Sequence, residues 1–231
     1  MINYPMVQDL LALFFPEICL YCKQPTVKGE DMLCTGCLLD LPKTNDHLSQ
    51  DKTILNKFIA FPQVSRGHAF LRFSKRGIVQ RLLHHLKYER NQELGVRLGN
   101  WYGKELESTM PKEDHDLIVP TPLHVSKLRT RGYNQSDLIA QGLSESLGIP
   151  WSGQVLKRVK KTMTQTKMGK VERWKNVERI FQVVNHSAIE NKNIILVDDV
   201  ITTGATLNSC VEALVEVGVS RVSILTLAKA D

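Results

Sequence analysis

The stretch Ile194-Ile195-Leu196-Val197-Asp198-Asp199-Val200-Ile201-Thr202-Thr203-Gly204-Ala205-Thr206 decides how this chain is read. Ile194–Val197 is an unbroken apolar run, the pattern of a strand covered on both faces in a parallel sheet. Two carboxylates follow at its expected carboxyl end. Next comes a loop of hydroxyls around one glycine, and then Leu207, Val211, Leu214 and Val215 at helical spacing, closed by Gly218. Open α/β sheets bind ligands at that edge. The N–H groups of Thr202, Thr203, Gly204, Ala205 and Thr206, with the helix N-terminus, form an anion cradle. Gly204 permits close backbone approach, and the threonine hydroxyls add donors. Asp198 and Asp199 then face sugar hydroxyls, or a hydrated Mg²⁺ that bridges hydroxyls and phosphate. A phosphate cradle beside diol acceptors describes a sugar-phosphate site.

Two blander readings compete with this one. Paired acids after an apolar strand also occur in Walker B elements, but those need a glycine-rich loop with Lys-Ser/Thr, and the sequence holds none. The threonines also suit plain helix caps.

Outward from this stretch, strands and helices alternate. His68–Phe73, Leu117–Val119 and Val222–Leu227 fit strands, and Pro120 and Pro122 stop the second of them. Ile78, Leu82, Leu83 and Leu86 make one helical stripe, and Leu94, Leu98, Trp101 and Tyr102 another. Leu138, Ile139, Leu143 and Leu147 make a third, ended by Gly148 and Pro150. The expected class is α/β with a mainly parallel sheet.

A second anion site is expected after Leu117–Val119. Val119-Pro120-Thr121-Pro122-Leu123-His124 leads through Lys127, Arg129, Arg131 and Gly132 to Tyr133-Asn134-Gln135. Arg131 and Gly132 in a strand-to-helix loop suit an anion, although Arg129 and Arg131 also suit a merely solvated loop. Lys157-Arg158-Val159-Lys160-Lys161, Thr164-Gln165-Thr166-Lys167, Arg173 and Asn176 form a long polar stretch with weak periodicity. Such a stretch suits a lid over a diphosphate, a track for a nucleic-acid backbone, or a solvated loop. Trp174 and Tyr133 are candidate base-stacking rings.

Cys19-x-x-Cys22 and Cys34-x-x-Cys37 are separated by eleven residues, a spacing that closes a tetrahedral, structural Zn²⁺ site, with Gly29 and Gly36 available for tight turns. Reduced, unliganded core cysteines or a redox pair are the other readings. Cys210 falls on the apolar side of its helix and reads as a small core residue.

The chain has 231 residues with 42% apolar and 23% charged side chains, which excludes a rod, a collagen and wholesale disorder. Its net charge of +6 is concentrated: Leu123–Phe181 carries twelve Lys/Arg against four Asp/Glu, which suggests an anionic partner at one place. No apolar run approaches the roughly 18–20 residues of a membrane span. Pro5–Phe15 suits a short apolar-faced helix, and no basic residue precedes Lys23, so a secretory leader is not expected and a cytoplasmic chain with reduced thiols is. Three regions are expected: residues 1–42 as an N-terminal helix and four-cysteine module, 43–67 as a polar linker, and 68–231 as the α/β domain.

Together these pieces resemble the ComF family of competence proteins. Asp198–Thr206 resembles the phosphoribosyl-pyrophosphate (PRPP) signature of type I phosphoribosyltransferases. Phe15-Pro16-x-x-Cys19-x-x-Cys22 with Cys34-x-x-Cys37 is similar to the family's zinc finger. Lys87-Tyr88 is similar to its helix end, Val119–His124 with Arg129–Gln135 to its most distinctive block, and Thr164-Gln165, Arg173 and Asn176 to its hood loop. Thr121 stands where the family often has valine, a departure expected to leave the site undisturbed. The resemblance implies a type I phosphoribosyltransferase-like core behind a small zinc-ribbon domain, with Asp198, Asp199 and Arg131 at the reacting sugar diphosphate. It implies PRPP with Mg²⁺ on Asp198, Asp199, Thr202–Thr206, Arg131 and Gly132, and structural Zn²⁺ on the four cysteines. It also implies a cytoplasmic role in natural transformation, with single-stranded DNA and with helicase-like and DNA-processing proteins as partners. Two functions stay open: a transferase with an unidentified nucleobase or amine acceptor, and a DNA-binding or adaptor module with a regulatory PRPP site.

Overall fold

The computed structural model describes residues 16–49, 51–89, 91–159 and 180–230. Pro5–Phe15, Lys160, Lys161, Thr164–Lys167, Arg173, Trp174 and Asn176, singled out above, lie outside the described residues. Among those described, the chain runs α1 (Thr35–Leu39), β1 (Val64–Arg72), α2 (Ile78–Tyr88), α3 (Gln92–Leu106), β2 (Leu117–Pro120), α4 (Val125–Arg131), α5 (Gln135–Leu147), β3 (Leu156–Arg158), β4 (Phe181–Val183), β5 (Asn193–Ile201), α6 (Ala205–Glu216) and β6 (Arg221–Lys229).

Four strands form a parallel sheet in the order β1-β6-β5-β2. β3 and β4 pair antiparallel as a separate two-stranded sheet. Ile194–Val197 is fully buried, as the unbroken apolar run requires. Each face of the sheet covers one core cluster. Leu82, Leu86, Leu98, Ile139 and Leu143 fill one, and Ile54, Phe58, Val119, Leu207 and Val211 the other. Cys210 is buried in the second cluster, where burial pushes its thiol far up.

β5 is longer than the apolar run. It continues to Ile201, because Val200 and Ile201 keep the ladder with Ala228 and Lys229 of β6. The two acids therefore stand within the strand, not after it. β1 likewise starts at Val64 instead of His68, since Val64 and Arg66 already pair with Val222 and Ser223 of β6.

α3 and α5 approach closely. A side chain on Gly99 would strike the Ile139 carbonyl, and one on Gly142 would strike that of Val96. Glycine costs helix propensity at both places but allows backbone-to-backbone contact.

The stretch 43–67, expected as a linker, is packed. Two 3₁₀ turns, Asp46–Leu48 and Leu55–Phe58, bury Ile54 and Phe58. Lys229, at the end of β6, holds Asp46 Oδ1 and Asp51 Oδ2, both at 2.8 Å. Two apolar anchors among polar neighbours have no readable period, so the sequence hid them.

Candidate functional site

The carboxyl ends of β2 and β5 are neighbours, and the candidate site lies there. Asp198 is half-buried. Its Oδ1 accepts from Thr121 Oγ1 at 2.7 Å, from Ser136 Oγ at 3.1 Å and from the Asp199 N–H at 2.9 Å. All three reach the same oxygen, which leaves Oδ2 to other ligands. Burial first, and the Asp199 charge next, push the Asp198 carboxyl up to about 6 despite those donors. Asp199 Oδ2 pairs with Lys87 Nζ at 2.5 Å.

The loop after β5 forms a concavity of about 60 Å³ lined by Thr202, Thr203, Gly204, Ala205 and Thr206. Gly204 caps α6 at φ 83°, a left-handed conformation that disfavours any side chain. Thr202, Thr203 and Thr206 are exposed. The Ala205 N–H leans on Thr203 Oγ1 at 3.4 Å, and the first amides of a helix have no acceptor within it. Asn208 ties the loop down, donating to Gly204 O at 3.0 Å and to Lys57 O at 3.1 Å. The stretch 43–67 therefore buttresses this loop.

A cleft of about 190 Å³ adjoins the two acids, bounded by Lys87, Arg131, Gln135, Arg158, Asp198 and Asp199. Arg131 Nη1 donates to Gln135 Oε1 at 2.6 Å, and its guanidinium lies 5.5 Å from the centre of the Tyr88 ring. Gly132 ends α4 at φ 84°, so it is the turn conformation that demands glycine there. The residues read as a loop before Gly132 form a short helix, α4, with no buried residue.

Two expectations need correction. Tyr133 is not free to stack on a base: it is buried, and its hydroxyl donates to Leu86 O at 2.7 Å. Thr121, expected to leave the site undisturbed, donates directly to Asp198. Sequence reasoning assigned no site role to Thr121, Ser136 or Lys87. The Lys87-Tyr88 resemblance was the one available signal for the last of these.

The four cysteines converge. Their sulfurs all lie within 4.8 Å of one another, and Cys22 Sγ is 3.7 Å from Cys34 Sγ. Zn–S bonds of about 2.3 Å in a tetrahedron place sulfurs about 3.8 Å apart, so this edge fits zinc. Burial opposes ionising Cys19, yet the N–H groups of Cys34, Cys22 and Tyr21 bring it down to about 6. Burial and the neighbouring thiols push Cys37 up. Four crowded thiols cannot all ionise without a cation, and a dication removes that repulsion. Glu30 joins the two halves, accepting from the Val27 N–H at 2.9 Å and the Thr35 N–H at 2.7 Å. The left-handed turns fall at Lys23, Gly29 and Met32, whereas Gly36, expected in a turn, lies inside α1. Cys19, Leu33, Cys37 and Leu41 share the main core, and Asp31 pairs with Arg97 of α3. For the acids, hard carboxylate oxygens with Asp198 Oδ2 uncommitted suit a hydrated Mg²⁺.

The sheet flanked by helices, with its hydroxyl loop after β5, is a type I phosphoribosyltransferase fold, and residues 138–231 match the phosphoribosyl transferase domain. The chain is similar to competence protein F and to the DNA utilization protein YhgH, and its four-cysteine cluster fits a zinc finger. It is 40% identical over 116 residues to competence protein F of Haemophilus influenzae, covering 50% of this chain and 51% of that protein. It is 28% identical over 222 residues to YhgH of Escherichia coli K12, covering 95% and 93%. The chain thus spans about half of competence protein F and nearly all of YhgH. Among solved structures, glutamine PRPP amidotransferase from B. subtilis shares 21% identity over 62% of this chain and 30% of that one, at a TM-score of 0.45. Among the described residues no helix is long and apolar enough to cross a membrane.

Proposed function

We infer that this chain is a ComF-like protein of DNA uptake that binds PRPP at the carboxyl edge of β5. The observation that carries this reading is the juxtaposition of a phosphate-sized hollow at Thr202–Thr206 with Asp198 and Asp199 in one continuous edge. The loop amides and threonine hydroxyls hold the 5-phosphate, and the two acids accept from the ribose hydroxyls. Arg131, steadied by Gln135 and Tyr88, faces the cleft where the diphosphate lies. A hydrated Mg²⁺, when bound, supplies positive charge to the diphosphate. Four thiolates hold zinc as a structural staple that clamps the N-terminal hairpins to α2 and α3.

The names of the relatives, a competence protein and a DNA utilization protein, support a role in DNA handling. The exposed cations Lys127 and Arg129 on α4 suit a single-stranded DNA backbone, and DNA-processing proteins are the expected company. A cytoplasmic location follows from the same reading.

Calorimetric titration with PRPP and Mg²⁺ tests the site. Saturable binding is expected, lost in Asp198→Asn/Asp199→Asn. No heat with the wild type, or unchanged heat with the double variant, overturns the reading. Pyrophosphate release in the presence of nucleobases or amines would make the protein a transferase; its absence, with binding intact, leaves a PRPP-binding adaptor. Anisotropy of labelled single-stranded DNA should fall steeply with salt.

A further inference from the structure

The last turn of α2 touches the site at three consecutive residues. Leu86 O accepts the Tyr133 hydroxyl at 2.7 Å, Lys87 Nζ pairs with Asp199 Oδ2 at 2.5 Å, and the Tyr88 ring carries the Arg131 guanidinium. The helix is a firm base for these contacts, because Ile78, Val79, Leu82, Leu83 and Leu86 anchor it in the core. A lysine also suits the negative end of the helix dipole. Both members of the ion pair are largely withdrawn from water, with side chains 23% and 18% exposed, so screening is weak and the pair holds its geometry.

The pairing answers an electrostatic difficulty. Two adjacent carboxylates face a cleft meant for a ligand that is itself strongly anionic. We propose that Lys87 is a positioning residue for Asp199. It holds Oδ2, leaves Oδ1 to accept a ribose hydroxyl, and cancels one of the two negative charges that would repel the sugar diphosphate. Lys87 thereby shares with Mg²⁺ the task of making the acidic edge tolerable to an anion. This inference rests on the PRPP reading of the site and goes beyond it, since Lys87 lies outside the loop that carries that reading.

The test is a set of PRPP titrations at limiting and at saturating Mg²⁺, with wild type, Lys87→Met and Lys87→Arg. A metal-free titration with ribose 5-phosphate accompanies them. Lys87→Met should weaken PRPP about tenfold or more at limiting Mg²⁺, with the gap narrowing as Mg²⁺ saturates. It should also weaken ribose 5-phosphate without metal. Lys87→Arg, which keeps the charge, should stay within about threefold of wild type. Lys87→Gln is the second neutral variant should the methionine variant not fold. Equal weakening at every Mg²⁺ level, or none, overturns the role of Lys87 while the PRPP site stands. If the wild type binds neither ligand, the site reading and this inference fall together.

Discussion

Thr121 and Asp198, 77 residues apart in the chain, meet at 2.7 Å where β2 and β5 end side by side. The hydroxyl donates to the same oxygen that Ser136 and the Asp199 N–H already reach, so the orientation of the carboxylate is set before any ligand arrives. Valine at 121 would remove a donor from a carboxylate that burial already disfavours in its charged form. Thr121→Val is expected to cost about 1–2 kcal/mol in stability near neutral pH, measured by urea unfolding. It should also weaken PRPP binding, since Asp198 would then lose one of the three donors that orient it.

The raised Asp198 carboxyl predicts a pH dependence. Its folded value, about 6, lies above its ordinary 3.8, so the native state binds this proton more tightly than the unfolded chain does. The contribution of Asp198 to stability therefore falls as pH rises from about 4 to about 6 and stays unfavourable above that. Asp198→Asn should melt a few degrees higher than wild type at neutral pH without ligand, and the difference should vanish near pH 4. A constant difference across that range would contradict the assignment.

Lys229 is the hinge pin of the packed stretch 43–67. Burial alone would lower its pKa, but Asp46 and Asp51 raise it, and the bond from Lys229 holds Asp51 well below the usual carboxylate range. Lys229→Met strands Asp46 in a buried position. A loss of about 3 kcal/mol or more is expected in denaturant unfolding. Replacing both partners, Lys229→Met with Asp46→Leu, should recover part of it.

The contact between α3 and α5 leaves no room for a methyl group. Gly142→Ala should force the helices apart, with a cost of about 2–3 kcal/mol and a melting temperature roughly 5–10 °C lower. A fully stable variant would mean that the helices are not packed backbone to backbone.

Removing the zinc proposed at the four cysteines should loosen the N-terminal module and its grip on α2 and α3. Cys34→Ser is expected to abolish metal retention, read by elemental analysis, and to expose Cys19 and Cys37 to thiol reagents. Retained zinc in that variant would place the ion elsewhere.

Much of the fold is legible in the residues. Ile194–Val197 announces a buried parallel strand, because only full burial tolerates four consecutive large apolar side chains there. Cys19, Cys22, Cys34 and Cys37 announce one another by spacing. The helical stripes of α2, α3, α5 and α6 stand out because the stretches are long and periodic. The packing of 43–67 does not stand out: Ile54 and Phe58 are isolated anchors, and the stretch gains its order from Lys229 at the far end of the chain. The burial of Tyr133 was equally hidden, since an aromatic beside Asn134 and Gln135 looks the same whether its hydroxyl meets water or the Leu86 carbonyl.

Local order along the chain determined the α/β alternation, the hydroxyl loop that opens α6 and the two CxxC pairs, because each is written in the spacing of residues within one segment. Tertiary structure alone decided that Asp198 leans on Thr121 and Ser136, that Asp199 answers to Lys87, and that both acids stand inside β5. These matters depend on partners brought in by other strands and helices, and no spacing within one segment encodes the distance to another.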